Sequence, residues 1–152
     1  MRVLGIDFGR RRIGVAISDA TATLARPLTM IPAQRSLDQT VQEIARLVER
    51  LSSDDQAIGE IVVGLPKRLD GTPNDQTAPA TEFARALGAA VPVPIRLQDE
   101  RLTSHEADSR LAETDRDWRT RKSRLDAAAA AIILQDYLDA RRPGRDSRTE
   151  HE

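Results

Sequence analysis

The 152-residue sequence predicts a single α/β domain built on a mixed five-stranded sheet, with three antiparallel hairpin strands, two parallel strands and flanking helices. Three observations predict this fold. The chain opens with alternating strands in hairpin connection, a β-branched run typical of a buried parallel strand follows, and amphipathic segments separate the later strands. The chain has no cysteine, which excludes disulfide scaffolds and thiolate chemistry. Its net charge of −1 argues neither for nor against a polyanionic partner.

The first half of the chain is predicted to supply four strands and a helix. Residues 3–8 and 13–17 alternate in the period of a β-hairpin, and residues 24–32 follow as a third strand, placed at the sheet edge by a proline. Ser36 and Gln39 have capping-box spacing, and the apolar positions from Leu37 to Leu51 predict an amphipathic helix. Residues 60–66 predict a buried parallel strand beside the first strand, which would then be central.

The second half is predicted to supply a last strand and further helices after a turn-rich loop at residues 67–76. Residues 80–87 are predicted to be helical and to end at Gly88, and residues 93–100 form the last strand. Thr103 and Glu106 predict a short helix, residues 116–124 a charged connection, and residues 125–141 a long helix. The domain would span residues 1–142, with a polar, disordered tail at 143–152. No signal peptide or membrane helix is predicted, so we expect a cytoplasmic protein without a membrane partner.

Acidic side chains occupy positions that are hard to explain as separate structural accidents. Asp7 lies inside an apolar strand, where an unpaired carboxylate is costly, although a salt bridge to Arg12 is an alternative. Asp99 and Glu100 end the last strand, and Asp126 opens the final helix, where a favourable first-turn charge is the alternative. Neighbouring carboxylates need a cation between them, and oxygen-only ligands favour Mg²⁺ or Mn²⁺. The pattern predicts a metal site, in which two ions about 4 Å apart would support phosphodiester hydrolysis.

Basic side chains flank the elements that carry these acids, and we expect them to contact nucleic-acid phosphates without reading sequence. An ordinary solvated charge run is the alternative. The three clusters are Arg10, Arg11 and Arg12 in the hairpin turn, Lys67 and Arg68 after the fourth strand, and Arg119, Arg121 and Lys122 before the final helix. Trp118 is interpreted as a packing anchor and His105 as a surface residue.

Four blocks of the sequence resemble the YqgF/RuvX family, whose members are described as Holliday-junction resolvases and as nucleases that mature the small-subunit ribosomal RNA precursor. The blocks are GIDFGRRRIGVAISD, VVGLPKRLDG, DERLTSHEA and LDAAAAAIILQDYL, and the resemblance extends from residue 2 to about residue 140. It implies an RNase H-like fold and an acidic triad at Asp7, Glu100 and Asp126, acting as catalytic residues and as ligands of Mg²⁺ or Mn²⁺. The implied activity is that of a metal-dependent endonuclease acting on structured nucleic acid. The sequence leaves open whether the substrate is precursor RNA or branched DNA, and whether the protein forms a homodimer.

Two other function classes compete with a nuclease. GIDFG in an N-terminal hairpin also resembles the first phosphate-binding loop of sugar kinases and actin-like ATPases. Those proteins need two such domains, and they usually carry Ser or Thr where Arg10 to Arg12 stand. A non-catalytic nucleic-acid-binding module of the same fold is the other alternative. Clustered carboxylates facing a polyanion argue against it, so a nuclease is the main expectation.

Overall fold

The structure, a computed structural model, describes residues 1–52, 57–67, 70–99 and 118–141, with side chains in the last range described from residue 127 onward. Along the chain the elements are β1 (Arg2–Phe8), β2 (Arg12–Ser18), β3 (Ala25–Pro32), α1 (Leu37–Leu51), β4 (Ile58–Leu65), α2 (Thr77–Ala90), β5 (Ile95–Asp99) and α3 (Trp118–Ala140). None of the described helices combines the length and the hydropathy that crossing a bilayer requires.

The five strands form one mixed sheet in the order β3-β2-β1-β4-β5. β1 pairs antiparallel with β2 and parallel with β4. At the two edges, β3 pairs antiparallel with β2, and β5 pairs parallel with β4. The predicted fold class, the central position of β1 and the edge position of β3 are therefore confirmed. Pro27 lies on that edge strand, beside a register shift at Val15 and Ala16 of β2, where a missing backbone donor is tolerated.

The alternation of β1 and β2 divides the core into two layers. Leu4 and Ile6 lie with the buried residues of α1 and α2 on one face, and α1 begins as predicted, because the Ser36 hydroxyl accepts a hydrogen bond from the Gln39 amide. Val3 lies on the other face, together with the buried residues of α3. Each fully buried leucine or isoleucine in these layers contributes about 2 kcal/mol of hydrophobic stabilisation.

Gly5 lets α3 approach the centre of the sheet closely. A Cβ atom on Gly5 would lie 2.7 Å from Leu134 Cβ and 3.0 Å from the Ala130 carbonyl oxygen. Neither neighbouring atom is the end of a flexible side chain, so any larger residue here would push the helix outward. The close approach accounts for the small residues in this part of α3, where Ala127, Ala129 and Ala130 are buried.

The predicted bounds of two helices are wrong, and α2 begins at Thr77 rather than at residue 80. Gly88 lies inside α2, which continues to Ala90 and ends before Val91 and Pro92, because alanines extend the helix and the residue before a proline disfavours helical backbone. α3 begins at Trp118, so most of the predicted charged connection is helical. Its Arg and Lys residues are good helix formers, and the segment contains no Gly or Pro. The predicted helix at Thr103 and the tail from residue 142 lie outside the described residues.

Candidate active site

Asp7 lies near the end of the central strand, on the face that α3 covers. It shares the parity of Val3 and Gly5 and is in register with Gly14 of β2. Its neighbour Phe8 faces the opposite way and stacks on Phe83 of α2, with ring centroids 4.4 Å apart. That stacking fixes the end of β1 and so the direction of the Asp7 side chain. Asp7 is half-buried, whereas its place inside an apolar strand predicts a buried carboxylate.

The turn that follows Asp7 is tight and carries three arginines. The Gly9 amide donates to the Arg12 carbonyl oxygen at 3.0 Å, and a Cβ on Gly9 would lie 2.5 Å from that oxygen, so only glycine fits. Arg10 and Arg11 are exposed, and Arg12 is half-buried at the start of β2. The hairpin therefore presents cations immediately beyond Asp7.

Arg10 lies against Gln76, the residue that precedes α2. The side-chain amide of Gln76 lies 2.5 Å from Arg10 Nε and 2.7 Å from Nη2, and the amide orientation that satisfies both places its oxygen toward the guanidinium. The helix does not use this amide as a cap, so it is available to the arginine. Sequence reasoning missed the pairing because no local pattern connects Gln76 with the hairpin turn.

The described residues on both sides of positions 68 and 69, in the loop after β4, make specific contacts. Lys67 pairs with Pro73 in an isolated β-bridge. The hydroxyl of Thr77 donates to the Pro66 carbonyl oxygen and accepts from the Asn74 amide at 2.9 Å. The half-buried Lys67 is therefore fixed at the end of β4, while its predicted partner Arg68 lies outside the described residues.

Strand β5 ends with side chains on alternating faces. Gln98 is in register with Gly64 of β4, and Asp99 with Leu65. Arg96 reaches Glu60 on the α3 face, so Gln98 shares that face, whereas Ile95 packs with the residues that face α1 and α2. Asp99 has the parity of Ile95 and is exposed. The predicted ligand Glu100 is the first residue beyond the described part of β5.

Asp126 lies inside α3 rather than at its start, because the helix begins at Trp118. A first-turn interaction with the helix dipole, the structural alternative for this residue, therefore does not apply. Its backbone is one turn before Ala130, which contacts Gly5. Arg141, at the other end of the helix, bonds to Glu60, which is in register with Val3. α3 consequently runs antiparallel to β1, and its N-terminal part lies toward the Asp7 end.

The third basic cluster lies on α3. Arg119, Arg121 and Lys122 lie in the first two turns of α3, and their side chains are outside the described set, as is that of Asp126. Within the residues whose side chains are described, no three His, Asp or Glu side chains form a metal-binding group. The structure thus brings Asp7, the arginine turn, the ends of β4 and β5 and the N-terminal half of α3 to one end of the sheet.

Comparisons with known proteins agree with this architecture. The family model described as RuvX, Holliday junction resolvase, matches residues 1–140. A protein of Chloroflexus aggregans with the provisional name pre-16S rRNA nuclease is 44% identical over 140 residues, which cover 92% of this chain and 94% of that one. A protein of Protochlamydia amoebophila with the same provisional name is 39% identical over 141 residues, which cover 92% and 94% of the two chains.

Solved structures share the fold at low sequence identity. T. thermophilus RuvC in complex with a Holliday junction substrate has a TM-score of 0.54 at 18% identity, covering 93% of this chain and 95% of that one. The fowlpox virus Holliday junction resolvase has a TM-score of 0.54 at 12% identity, covering 92% and 99%. The RNase H-like fold implied by the sequence resemblance is therefore confirmed.

Proposed function

Because the chain belongs to the RuvX family of nucleases, we propose that it hydrolyses nucleic-acid phosphodiesters with divalent metal held by Asp7, Glu100 and Asp126. The observation that carries this proposal is the position of Asp7 relative to α3. Asp7 follows Gly5 by two strand residues, a rise of about 6.6 Å. Asp126 precedes Ala130 by four helical residues, a rise of about 6 Å, and α3 runs antiparallel to β1. The two acids would therefore lie at about the same height along β1, on the face of the sheet that α3 covers.

The alternation of β5 supports Glu100 as the third ligand. Gln98 lies on the α3 face, so a strand that continued to alternate would present residue 100 on that face as well. Asp99 has the opposite parity, and its alternation directs it to the α2 side. The family resemblance names Glu100 independently. We therefore assign Asp99 to the strand end and not to the metal.

The donor set fits a hard divalent cation. The three proposed ligands offer only carboxylate oxygens, and the chain has no cysteine and only two histidines, so Mg²⁺ or Mn²⁺ suits the site better than Zn²⁺. A pair of such ions supplies an activated water and stabilises the leaving oxygen of a phosphodiester. Asp7 is half-buried rather than sealed in the core, which supports such a role.

The cations around this end of the sheet would hold the substrate. Arg11 is exposed in the hairpin turn, Arg10 is oriented by Gln76, and Lys67 is fixed at the end of β4. Together with Arg12, Arg68, Arg119, Arg121 and Lys122, they would contact phosphates on both sides of the scissile bond. Such contacts orient a strand on the protein, whereas the shape of the folded nucleic acid selects the cleavage position.

Precursor 16S ribosomal RNA is the substrate that we propose, because relatives at 39–44% identity carry that name over nearly their full length. We place the reaction in the cytoplasm. Branched DNA is the second candidate, favoured by the description of the matching family model. Purified protein should be incubated with a precursor 16S transcript and with a four-way DNA junction, each with Mg²⁺, with Mn²⁺ and with EDTA.

We expect metal-dependent cleavage near the mature end of the RNA and slower or absent cutting of the junction. Cutting of the junction alone would replace the RNA assignment with the DNA one. Tight binding of either substrate without cleavage in any metal would instead indicate a non-catalytic binding module.

A further inference from the structure

The helix that carries Asp126 is tied to the edge strand β3 by one side-chain amide. Gln135 Oε1 accepts a hydrogen bond from the Ala25 amide at 2.9 Å, and Gln135 Nε2 donates to the Thr23 carbonyl oxygen at 3.0 Å. Ala25 is the first residue of β3 and lies 110 residues before Gln135 in the chain, and Thr23 belongs to the β2–β3 connection and lies 112 residues before it. The side-chain amide thus pairs with backbone groups at the sheet edge in the way that the backbone of a neighbouring strand would.

Both sides of this junction are held in place by other contacts. On α3, Gln135 Nε2 also donates to Asp139 Oδ1 at 2.9 Å, one turn along the helix, which fixes the orientation of the amide. On the loop, Asp19 Oδ1 accepts from the Thr23 and Leu24 amides at 2.8 and 3.1 Å. Because both the Gln135 amide and the β2–β3 connection are restrained, the hydrogen bonds between them fix the position of α3 relative to β3.

The part of α3 between Asp126 and Ile133 contributes little to fixing the position of the helix along its own axis. It consists mainly of alanines, of which Ala127, Ala129 and Ala130 are buried. Alanine side chains give a smooth surface with few ridges to interlock with the sheet. A shift of one residue moves the helix by about 1.5 Å, which is enough to misplace a metal ligand.

We propose that Gln135 is a positioning residue for the metal site, setting the axial position of α3 so that Asp126 lies beside Asp7. The inference rests on the proposed function, in which Asp7 and Asp126 share a metal. The close contact at Gly5 sets the height of the helix over the sheet, and the Arg141–Glu60 ion pair holds its C-terminal end. Gln135 adds an anchor on the β3 side through its two hydrogen bonds to the backbone.

The first test measures Mn²⁺ binding by calorimetry for the parent, Asp7→Asn, Gln135→Met and Thr40→Val. Methionine keeps the volume of Gln135 and removes its hydrogen bonds. Thr40→Val is a matched control, since it removes the bonds of the Thr40 hydroxyl to the Gln34 amide and the Ser36 carbonyl oxygen on α1, across the sheet. We expect Gln135→Met to raise the Mn²⁺ Kd at least about tenfold and Thr40→Val to leave it unchanged.

The outcomes separate the two proposals. Parent-like Mn²⁺ binding by Gln135→Met, with binding lost in Asp7→Asn, would overturn the positioning role and leave the proposed function intact. Mn²⁺ binding that Asp7→Asn does not weaken would overturn the proposed function instead. If Gln135→Met does not melt cooperatively, Gln135→Glu replaces it, because the carboxylate still accepts from Ala25, and an intermediate Kd is then expected.

A second test does not depend on metal. The chain has no cysteine, so spin labels can be attached at Arg46→Cys on α1 and Asp126→Cys on α3 alone, and their distance distribution measured by electron paramagnetic resonance. We expect a narrow distribution in the Gln135 background and a shifted or broader one with Gln135→Met. Identical distributions in both backgrounds would overturn the positioning role whatever the metal measurement gives.

Discussion

At the scale of single residues, positions 99 and 100 carry adjacent acids on opposite sides of one strand. The aliphatic parity of β5 belongs to Ile95 and Leu97, and it includes Asp99. This parity faces α1 and α2, whereas Asp7 faces α3. Parity alone would favour Asp99 as the metal ligand, because the sequence does not indicate which face of the sheet holds the other acids. The register of β4 and β5 removes that ambiguity for Gln98 and Asp99.

Glu100→Gln should therefore eliminate cleavage even at saturating Mn²⁺, because the amide is a poor ligand for the ion. Asp99→Asn is the matched control, because it neutralises the adjacent carboxylate. This variant should retain a recognisable dependence of cleavage rate on metal concentration. A titration of nuclease rate against Mn²⁺ for both variants distinguishes them. An inactive Asp99 variant beside an active Glu100 variant would reverse the assignment.

Asp19 predicts how stability depends on pH. Hydrogen bonds from the Thr23 and Leu24 amides and from the Thr21 hydroxyl lower the pKa of Asp19, and burial opposes them only weakly. A lowered pKa in the folded state means that this carboxylate stabilises the fold above its unfolded pKa of about 4. That contribution is lost as the pH falls through the lower folded value.

Asp19→Asn should accordingly reduce the free energy of unfolding more at pH 7 than at pH 3, as measured by denaturant titration at both values. Asp75→Asn, at another exposed aspartate, controls for the loss of one negative charge. An equal loss at both pH values for Asp19→Asn would show that its hydrogen bonds do not favour the ionised form.

At the scale of secondary-structure elements, the close packing of α3 on the sheet depends on a glycine. Gly5→Ala places a methyl group 2.7 Å from Leu134 Cβ, so the helix must move outward. We expect a loss of about 1–3 kcal/mol in the free energy of unfolding and weaker Mn²⁺-dependent cleavage. Denaturant unfolding and initial cleavage rates measure the two effects.

Gly88→Ala is the matched control for that substitution. Its methyl group would lie 3.3 Å from Ile95 Cγ1, on the face away from α3, and alanine is the better helix former inside α2. The stability change should be near zero or favourable, with cleavage unaffected. Equal behaviour of the two alanine variants would contradict the claim that Gly5 seats the helix.

The sequence predicted these elements well where the apolar residues followed a single strand or helix periodicity. The strict alternation of β1 and β2 and the capped amphipathic α1 gave the right element types, and their boundaries differ from the structure by one or two residues. The prediction failed at Gly88, where a glycine with good helix formers on both sides was treated as a stop. It failed again before Asp126, where a basic run without any helix breaker was treated as a connection.

The contacts between distant side chains were not predictable from the sequence. Asp7 stood out because a carboxylate interrupts an apolar strand, which is a local anomaly. The Gln76–Arg10 and Gln135–Ala25 contacts join residues far apart in the chain, and no local pattern sets either glutamine apart from its neighbours. Only the packing of elements brings such partners together.

At the scale of the whole molecule, the charge is balanced overall, so substrate attraction must come from local clusters. If Arg119, Arg121 and Lys122 bind phosphates, changing all three to alanine should weaken nucleic-acid binding across sequences. The slope of log affinity against log salt should fall by about three. Alanine preserves the helix, so the loss reports charge rather than folding.

Arg46, Arg50 and Arg85 provide the matched control, since they lie on α1 and α2, on the other face of the sheet. Changing these three to alanine should leave the salt slope close to that of the parent. An unchanged slope for the α3 variant would mean that this basic segment is only a solvated surface.

The Mn²⁺-dependent cleavage rate of Asp7→Asn, measured together with melting of the same protein in EDTA, decides whether Asp7 is a metal ligand. If Asp7 holds the catalytic metal, cleavage should fall to the level of the metal-free parent. Its melting temperature in EDTA should be no lower than that of the parent, because neutralising one carboxylate removes repulsion when no ion is bound. Parent-like cleavage, or a melting temperature lowered by many degrees in EDTA, would show that Asp7 serves the fold and not the metal.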